Sequence, residues 1–436
     1  MILDKKEGLG KRSREKITVG YDLGETCAQI SYFTAGKEEP ETLSMVTGTE
    51  QYNIPLVLCK RTEVNQWFYG KEAVKHAEAG DGILVENLVA LARKGDQVTV
   101  GEESFEPAAL LTLFIKRSLS LLSLTASLDS LCGLMFTTDN LDKRMVEVLS
   151  HIAANLNLKT DRIFFQSHVE SFYYYILNQP TELWTDGSIL FDYNNHSMKA
   201  YRLNSNRNTT PVVVFIDVDE YPEMERTAPE EGAEDPFQKE ELDRKFLAVV
   251  REKCGGESIS SAYLIGEGYK DEWAVESLRY LCRGKRVFQG NNLYGKGACY
   301  ALKARLGIDE EKKEYVFLGL DKLKANIGMK VLRRGLESYY AIMDAGVNWF
   351  EARKEFDVIL EEGNVLSVIL TPLNGKEPRE INMVLDGLPE RPKRTARLEI
   401  AVEMAAETQV KITVRDRGFG ELFPASGGEW MKLFEI

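Results

Sequence analysis

One β-hairpin pattern occurs twice in this chain, and the second copy keeps the layout while losing the residues that would let it hold an anion. The first copy reads Ile17-Thr-Val-Gly-Tyr-Asp22-Leu-Gly24-Glu-Thr26-Cys-Ala-Gln-Ile-Ser-Tyr-Phe33: an apolar strand, an Asp-Leu-Gly turn and a second strand. The second reads Ser188-Ile-Leu-Phe-Asp192-Tyr-Asn194-Asn195-His196-Ser197-Met-Lys199-Ala-Tyr-Arg-Leu203. In a phosphate-binding turn, glycines let backbone N–H groups converge on the anion and the aspartate faces a magnesium ion. The first turn retains Asp22 and Gly24, whereas Asn194, Asn195 and His196 stand where the second would need glycines. A repeat of this kind points to an internally duplicated α/β domain.

The 436 residues are too many for one ordinary domain. Strand and helix patterns alternate through the first three hundred or so residues. Strands are expected over 17–21, 28–33, 54–58, 131–136, 162–165, 212–218 and 262–265, and helices over 68–93, 107–124, 140–156, 242–253 and 273–283. A further helix follows the glycine-rich stretch 290–297. That alternation indicates an α/β layer. From Tyr315 onward, short alternating runs over 338–343, 356–360, 366–370, 381–385, 398–404 and 409–415 are separated by turns such as 361–364 and 374–375. Regular short strands with turn signals indicate a β-sandwich, with a boundary near 310–325.

A net charge of −13 argues against a nucleic-acid or anionic-membrane surface. Part of that charge lies in 217–241, which reads as a solvated acidic loop. The six cysteines are scattered without a CxxC pair, as in reduced core residues, and the four histidines are dispersed, so no metal site is expected. The N-terminus is charged and lacks a signal-peptide pattern, and no apolar run reaches the roughly 20 residues of a membrane span. A cytoplasmic protein is the expectation.

Several motifs together resemble the actin, hexokinase and seventy-kilodalton heat-shock chaperone superfamily, and the chaperones most closely. Asp22-Leu-Gly-Glu-Thr26 is similar to their first phosphate loop, and Phe68-Tyr-Gly70-Lys-Glu-Ala73 to the helix start that follows it. Leu264-Ile-Gly266-Glu-Gly268 resembles the adenosine motif, and Gly297-Ala298 the helix near the end of the ATPase domain. Tyr315-Val-Phe-Leu-Gly-Leu320 resembles the interdomain linker, Asn326-Ile-Gly-Met329 the opening of the substrate-binding sandwich, and Gly387-Leu-Pro389 a later stretch of it.

The resemblance implies a duplicated actin-like (ribonuclease-H-like) ATPase-type domain over 17–312, after a charged tail at 1–16. An apolar linker (313–325) and a substrate-binding-like β-sandwich (326–436) would follow, with no helical lid. It also implies nucleotide contacts at Asp22, Gly24, Thr26, Asp192, Gly266 and Gly268, and a peptide groove lined by Met329, Leu332, Phe356 and Val368. For the aspartates and glycines, turn geometry alone is the competing reading. Trp349 and Phe350 are candidates for an exposed apolar patch near the groove, whereas the run Phe172–Tyr175 reads as core packing.

The departures from the family pattern weigh against catalysis. Gln166 falls where a catalytic glutamate is expected, Lys199 replaces an aspartate, and Asn87 and Leu88 occupy the place of the lysine. The stretch before the adenosine motif is short for a full adenine-contacting subdomain. Phosphoryl transfer depends almost wholly on positioned metal, base and charge stabilisers, so their loss removes most of the rate. The expectation is a pseudo-ATPase without a required cofactor that binds a protein or extended apolar peptide. The alternatives are a slow ATPase or switch using ATP and magnesium, and an actin-like assembly scaffold.

Overall fold

A computed structural model describes residues 16–436 except 35, 47, 63, 126–127, 195–196, 209–210, 226–235, 257, 309–313 and 374–375. Asn195, His196, the turn at 374–375, nearly all of the tail at 1–16 and the centre of the acidic stretch therefore lie outside the described residues. The described residues of Met1–Ser205 and Ile216–Lys312 form one compact unit, and those of Asn206–Phe215 and Lys313–Ile436 a second. The fold is mixed α/β with several sheets. Among the described residues, no helix is long and apolar enough to cross a membrane.

In the first unit, β1 (Ile17–Leu23) and β2 (Cys27–Thr34) form the first hairpin, extended by the short strands β3 (Glu41–Thr42) and β4 (Ile54–Pro55). The helix expected over 68–93 is instead four elements. Strand β5 (Leu58–Arg61) pairs with β6 (Trp67–Tyr69) and β7 (Gly82–Val85), and helices α1 (Gly70–Glu78) and α2 (Leu88–Lys94) flank β7. Gly80, at φ +74°, ends the first helix, and the run Gly82-Ile-Leu-Val85 then pairs along Leu58–Arg61. A small hairpin of β8 (Val98–Val100) and β9 (Glu103–Phe105) precedes α3 (Pro107–Leu119), which tightens into a 3₁₀ turn at Ser120–Leu124 rather than continuing as α-helix. Strand β10 (Leu131–Thr138), helix α4 (Lys143–Asn155), strand β11 (Ile163–Ser167) and helix α5 (His168–Leu177) complete the first half. The aromatic run on α5 buries Phe172 and Tyr173.

A second run of strands and helices follows. Strands β12 (Ser188–Tyr193) and β13 (Met198–Asn206) form the second hairpin and β14 (Val212–Tyr221) follows it. Helix α6 (Pro236–Cys254), strand β15 (Ser261–Ile265), helix α7 (Val275–Leu281), strand β16 (Arg286–Gln289) and helix α8 (Leu293–Arg305) come next. The first sheet runs β11-β10-β1-β2-β3 and the second, within this unit, β16-β15-β12-β13-β14. In each, the hairpin is antiparallel and its first strand is parallel to the next strand outward. Helix α8 lies against β1, where a Cβ on Gly20 would come within 2.3 Å of the Gly295 carbonyl oxygen. A Cβ on Gly297 would come within 2.0 Å of the Ser171 carbonyl, so glycine is what lets the helix approach both β1 and α5.

In the second unit, the segment expected as a linker is ordered structure. Strand β17 (Tyr315–Phe317) pairs in parallel with Val212–Val214, and Leu323 and Ala325 are fully buried. Eight further strands follow: β18 (Ala325–Arg333), β19 (Leu336–Met343), β20 (Arg353–Leu360), β21 (Val365–Pro372), β22 (Arg379–Val384), β23 (Ala396–Ala406), β24 (Gln409–Asp416) and β25 (Glu429–Glu435). They make two four-stranded antiparallel sheets, β19-β18-β21-β22 and β20-β23-β24-β25. Leu366, Val368 and Leu370 from one sheet and Leu398, Ile400 and Val402 from the other share one buried cluster. Alternation along each strand directs these residues inward. Trp349, expected in an exposed patch, is buried in a 3₁₀ turn.

Candidate functional site

In the first unit the strand register brings the sequence-predicted aspartates to the same ends of their sheets. Asp22 sits opposite Gln29 on β2 and Thr137 on β10, and Thr137 sits opposite Gln166 on β11. In the second sheet Asp192 sits opposite Lys199 and Ile265. Two aromatic side chains that the motifs did not single out fill the space between the carboxylates. His168, the first residue of α5, places Nε2 2.8 Å from Asp22 Oδ1. Its ring stacks on that of Tyr294, from the first turn of α8, at 3.8 Å and 8°. The Tyr294 hydroxyl donates to Asp192 Oδ2 at 2.7 Å. A continuous chain Asp22–His168–Tyr294–Asp192 thus spans the cleft between the two carboxylates, and both rings are buried.

The other predicted residues serve the turns. The Gly24 N–H closes the first hairpin by donating to the Cys27 carbonyl, and Thr26 is exposed beside it. Asn194 Oδ1 accepts from the Ser197 N–H, shaping the second turn. Gly266 has φ +103°, and a Cβ there would lie 2.2 Å from the Tyr193 carbonyl oxygen. At Gly268 a Cβ would strike the Tyr193 ring. These glycines therefore answer to close packing on Tyr193, a ring that also packs against Tyr269 and Trp273. Gln166 is fully buried and donates to Ser171 Oγ, which also bonds Thr137. Lys199 does not wait for a phosphate: its Nζ donates to Asp139 at 2.5 Å and lies 3.3 Å from Glu220. Among the described residues, no group of three or more His, Cys, Asp or Glu is arranged to hold a metal ion.

The electrostatics follow from burial and this crowding. Burial pushes the Asp192 carboxyl up to about 6, against the lowering effect of the Tyr294 hydroxyl and His168. At His168 burial disfavours the imidazolium, but Asp22, Asp139 and Asp192 outweigh it and its pKa is raised above 6.5. Burial would raise the Asp139 carboxyl, yet His168 and Lys199 hold it below its ordinary 3.8. For both raised groups, the stability they contribute is complete below the unfolded value and is lost as pH climbs through the native one. For Asp192 that loss runs from 3.8 through about 6, and for His168 it begins at 6.5. The denaturant midpoint of this unit is accordingly expected to fall as pH rises from 3.8 through about 6, and to fall further above 6.5. Asp192→Asn should flatten the lower part of that fall; an unchanged profile in the variant contradicts the assignment.

The second unit holds a different feature. Its two sheets are tied along one edge, where Arg379 donates to the Glu435 carbonyl, Lys432 to the Asn382 carbonyl and Trp430 to the Asp386 carbonyl. Beyond Gly328, where β18 no longer pairs with β21, the end of β18, its turn into β19, and strands β20 and β21 line a groove of about 910 Å³. Met329, Leu332, Tyr340, Phe356, Val358 and Leu360 are among its lining. Leu332 is 48% exposed, and the Tyr340 and Phe356 rings meet at 5.2 Å. Three of the four expected groove residues are therefore found there. Val368 is not: at 1% exposure it points into the shared core, because its place on β21 directs it between the sheets.

Comparison with known proteins gives two matches. A family model described as a family of unknown function, the C-terminal part of DUF5716, matches residues 39–320. A domain of unknown function, DUF8552, matches residues 322–436. No curated protein matches the chain.

Proposed function

The chain belongs to the DUF5716 family, whose description assigns no activity, and from the two sites we propose that it is a heat-shock-chaperone-like, non-catalytic protein that binds an extended apolar peptide. In this reading the first unit is a duplicated actin-like domain that serves as a rigid platform. The matching strand order and senses of its two sheets support the duplication. The second unit is a β-sandwich, a reading supported by two antiparallel sheets around one core.

The observation that carries the proposal is the groove of about 910 Å³, where apolar Met329, Leu332, Phe356 and Val358 lie beside charged Lys330, Arg333, Glu361 and Arg394. Leu332, Ile359 and Val365 in its lining are exposed. Exposed apolar side chains gathered at a groove mark a binding surface more often than an accident of folding. The free edges of β19 and β20 offer unpaired backbone groups to an extended chain, and the groove offers room for its alternate side chains. ATP and magnesium have no part in this reading, because His168 and Tyr294 stand between the aspartates that would meet them.

Fluorescence anisotropy with short labelled peptides rich in Leu and Val tests it. Saturable binding is expected, weakened by about tenfold or more in Leu332→Asp, a loss of about 1.4 kcal/mol. Because Leu332 is half exposed, this variant retains the core. Absence of binding across a diverse peptide set, or equal binding by Leu332→Asp and Phe356→Asp, contradicts the proposal.

A further inference from the structure

Besides filling the space between the aspartates, side chains at the centre of the first unit join its two halves at three places. Tyr294, on the helix packed against β1, reaches across to Asp192 of the second sheet. Lys199 on β13 is paired with Asp139, which directly follows β10 of the first sheet, and the Tyr201 hydroxyl approaches the same carboxylate at 3.5 Å. Asn53, next to β4, donates to Glu267 in the turn after β15. Gln29 on β2 donates at 2.5 Å both to Asn53 and to the carbonyl of Asn291, just before α8. Hydrogen bonds of this kind, partly or wholly out of water and several of them charge-assisted, are stronger than surface pairs and act together.

We propose that the first unit is locked shut from within: the His168–Tyr294 stack stands in the cleft as a built-in ligand, and the Lys199–Asp139 and Gln29–Asn53–Glu267 bridges hold the two halves in one arrangement without any bound molecule. A ligand shifts a conformational equilibrium only by binding one state better than another. Here the contacts that would favour the closed state are supplied by the chain itself, so no external ligand has a differential contact left to make. The chain Asp22–His168–Tyr294–Asp192 and the Lys199–Asp139 and Asn53–Glu267 pairs are separate ties between the same two sheets. They hold whether or not the second unit takes a peptide.

Hydrogen–deuterium exchange of the full chain tests the lock. In the wild type, residues 22–29 and 264–270 are expected to exchange slowly, at the same rate with and without millimolar Mg-ATP. In the double variant Asn53→Ala/Lys199→Ala, which leaves the apolar core intact, the same segments are expected to exchange about tenfold faster or more. Unchanged circular dichroism would show that the halves have parted rather than melted. Tyr294→Phe is the second variant, removing only the hydroxyl bridge, and is expected to show a smaller increase in the same segments. Equal exchange in the wild type and both variants, or a change in wild-type protection on adding Mg-ATP, overturns the proposal.

Discussion

Asp416→Ala is expected to cost the second unit about 3–5 kcal/mol, the typical penalty for leaving one member of a buried ion pair alone. Asp416 closes β24, its carboxylate is fully buried, and it receives a two-pronged grip from Arg391 at 2.9 and 2.7 Å. The Gly418 and Ser426 N–H groups donate to the same carboxylate at 2.9 and 2.8 Å. One side chain thus gathers the loop between β24 and β25 and the segment before β23. Burial alone would raise its carboxyl; Arg391 and the two amides outweigh that and hold it well below its ordinary value of 3.8. Its contribution is therefore present above that value and lost as pH falls below it, so the wild type and the variant should converge in strong acid. In a thermal scan at neutral pH the transition of the second unit should drop by on the order of 10 °C. Joint replacement, Asp416→Leu with Arg391→Met, should recover much of the loss, since it leaves no unpaired buried charge. An Asp416→Ala midpoint within about 1 °C of wild type would show that the pair holds nothing.

Tyr294→Ala is expected to cost the first unit about 3–5 kcal/mol, as for other fully buried aromatic truncations. The ring is lost from its stack on His168, and Asp192 loses its hydroxyl donor while remaining buried. Tyr294→Phe separates the two effects: it keeps the stack and removes the hydrogen bond, for about 1–3 kcal/mol. Without that donor, nothing in the cleft offsets burial at Asp192 as directly, and its carboxyl should rise further. Urea midpoints of the two variants measure the difference; equal midpoints would mean that the ring contributes nothing beyond its hydroxyl.

The parts of the fold legible in the sequence were those with local signals. The two hairpins show themselves because Asp22 and Asp192 follow apolar strands and precede turn residues. The run 398–404 alternates cleanly because one side of β23 faces the shared core. Residues 68–93 mislead because both short helices and the strand between them place apolar residues at three- and four-residue spacing. Strand β25 escapes because Trp430 and Phe434 pack toward the core while Met431 and Leu433 face outward, so neither face reads as polar.

The candidate site divides in the same way. The loss of glycines around Asn194 and the exchange to Lys199 are visible as residue types. What fills the vacancy is not. His168 and Tyr294 belong to helices far apart in sequence, and only the packing of α8 against β1 and α5 brings their rings together. Similarly, Lys199 is legible as a cation opposite Asp192, but its partner Asp139 becomes its neighbour only when the two sheets come together. Val368 fails as a groove residue because alternation alone leaves open which face of β21 looks into the core.

His168 and Tyr294 stand between Asp22 and Asp192, so a nucleotide is expected to find no room there. Titration calorimetry of the full chain with millimolar Mg-ATP tests it most directly. Heats no larger than dilution are expected, and the same null result for Mg-ADP. Saturable binding that is lost on Asp22→Ala would contradict it.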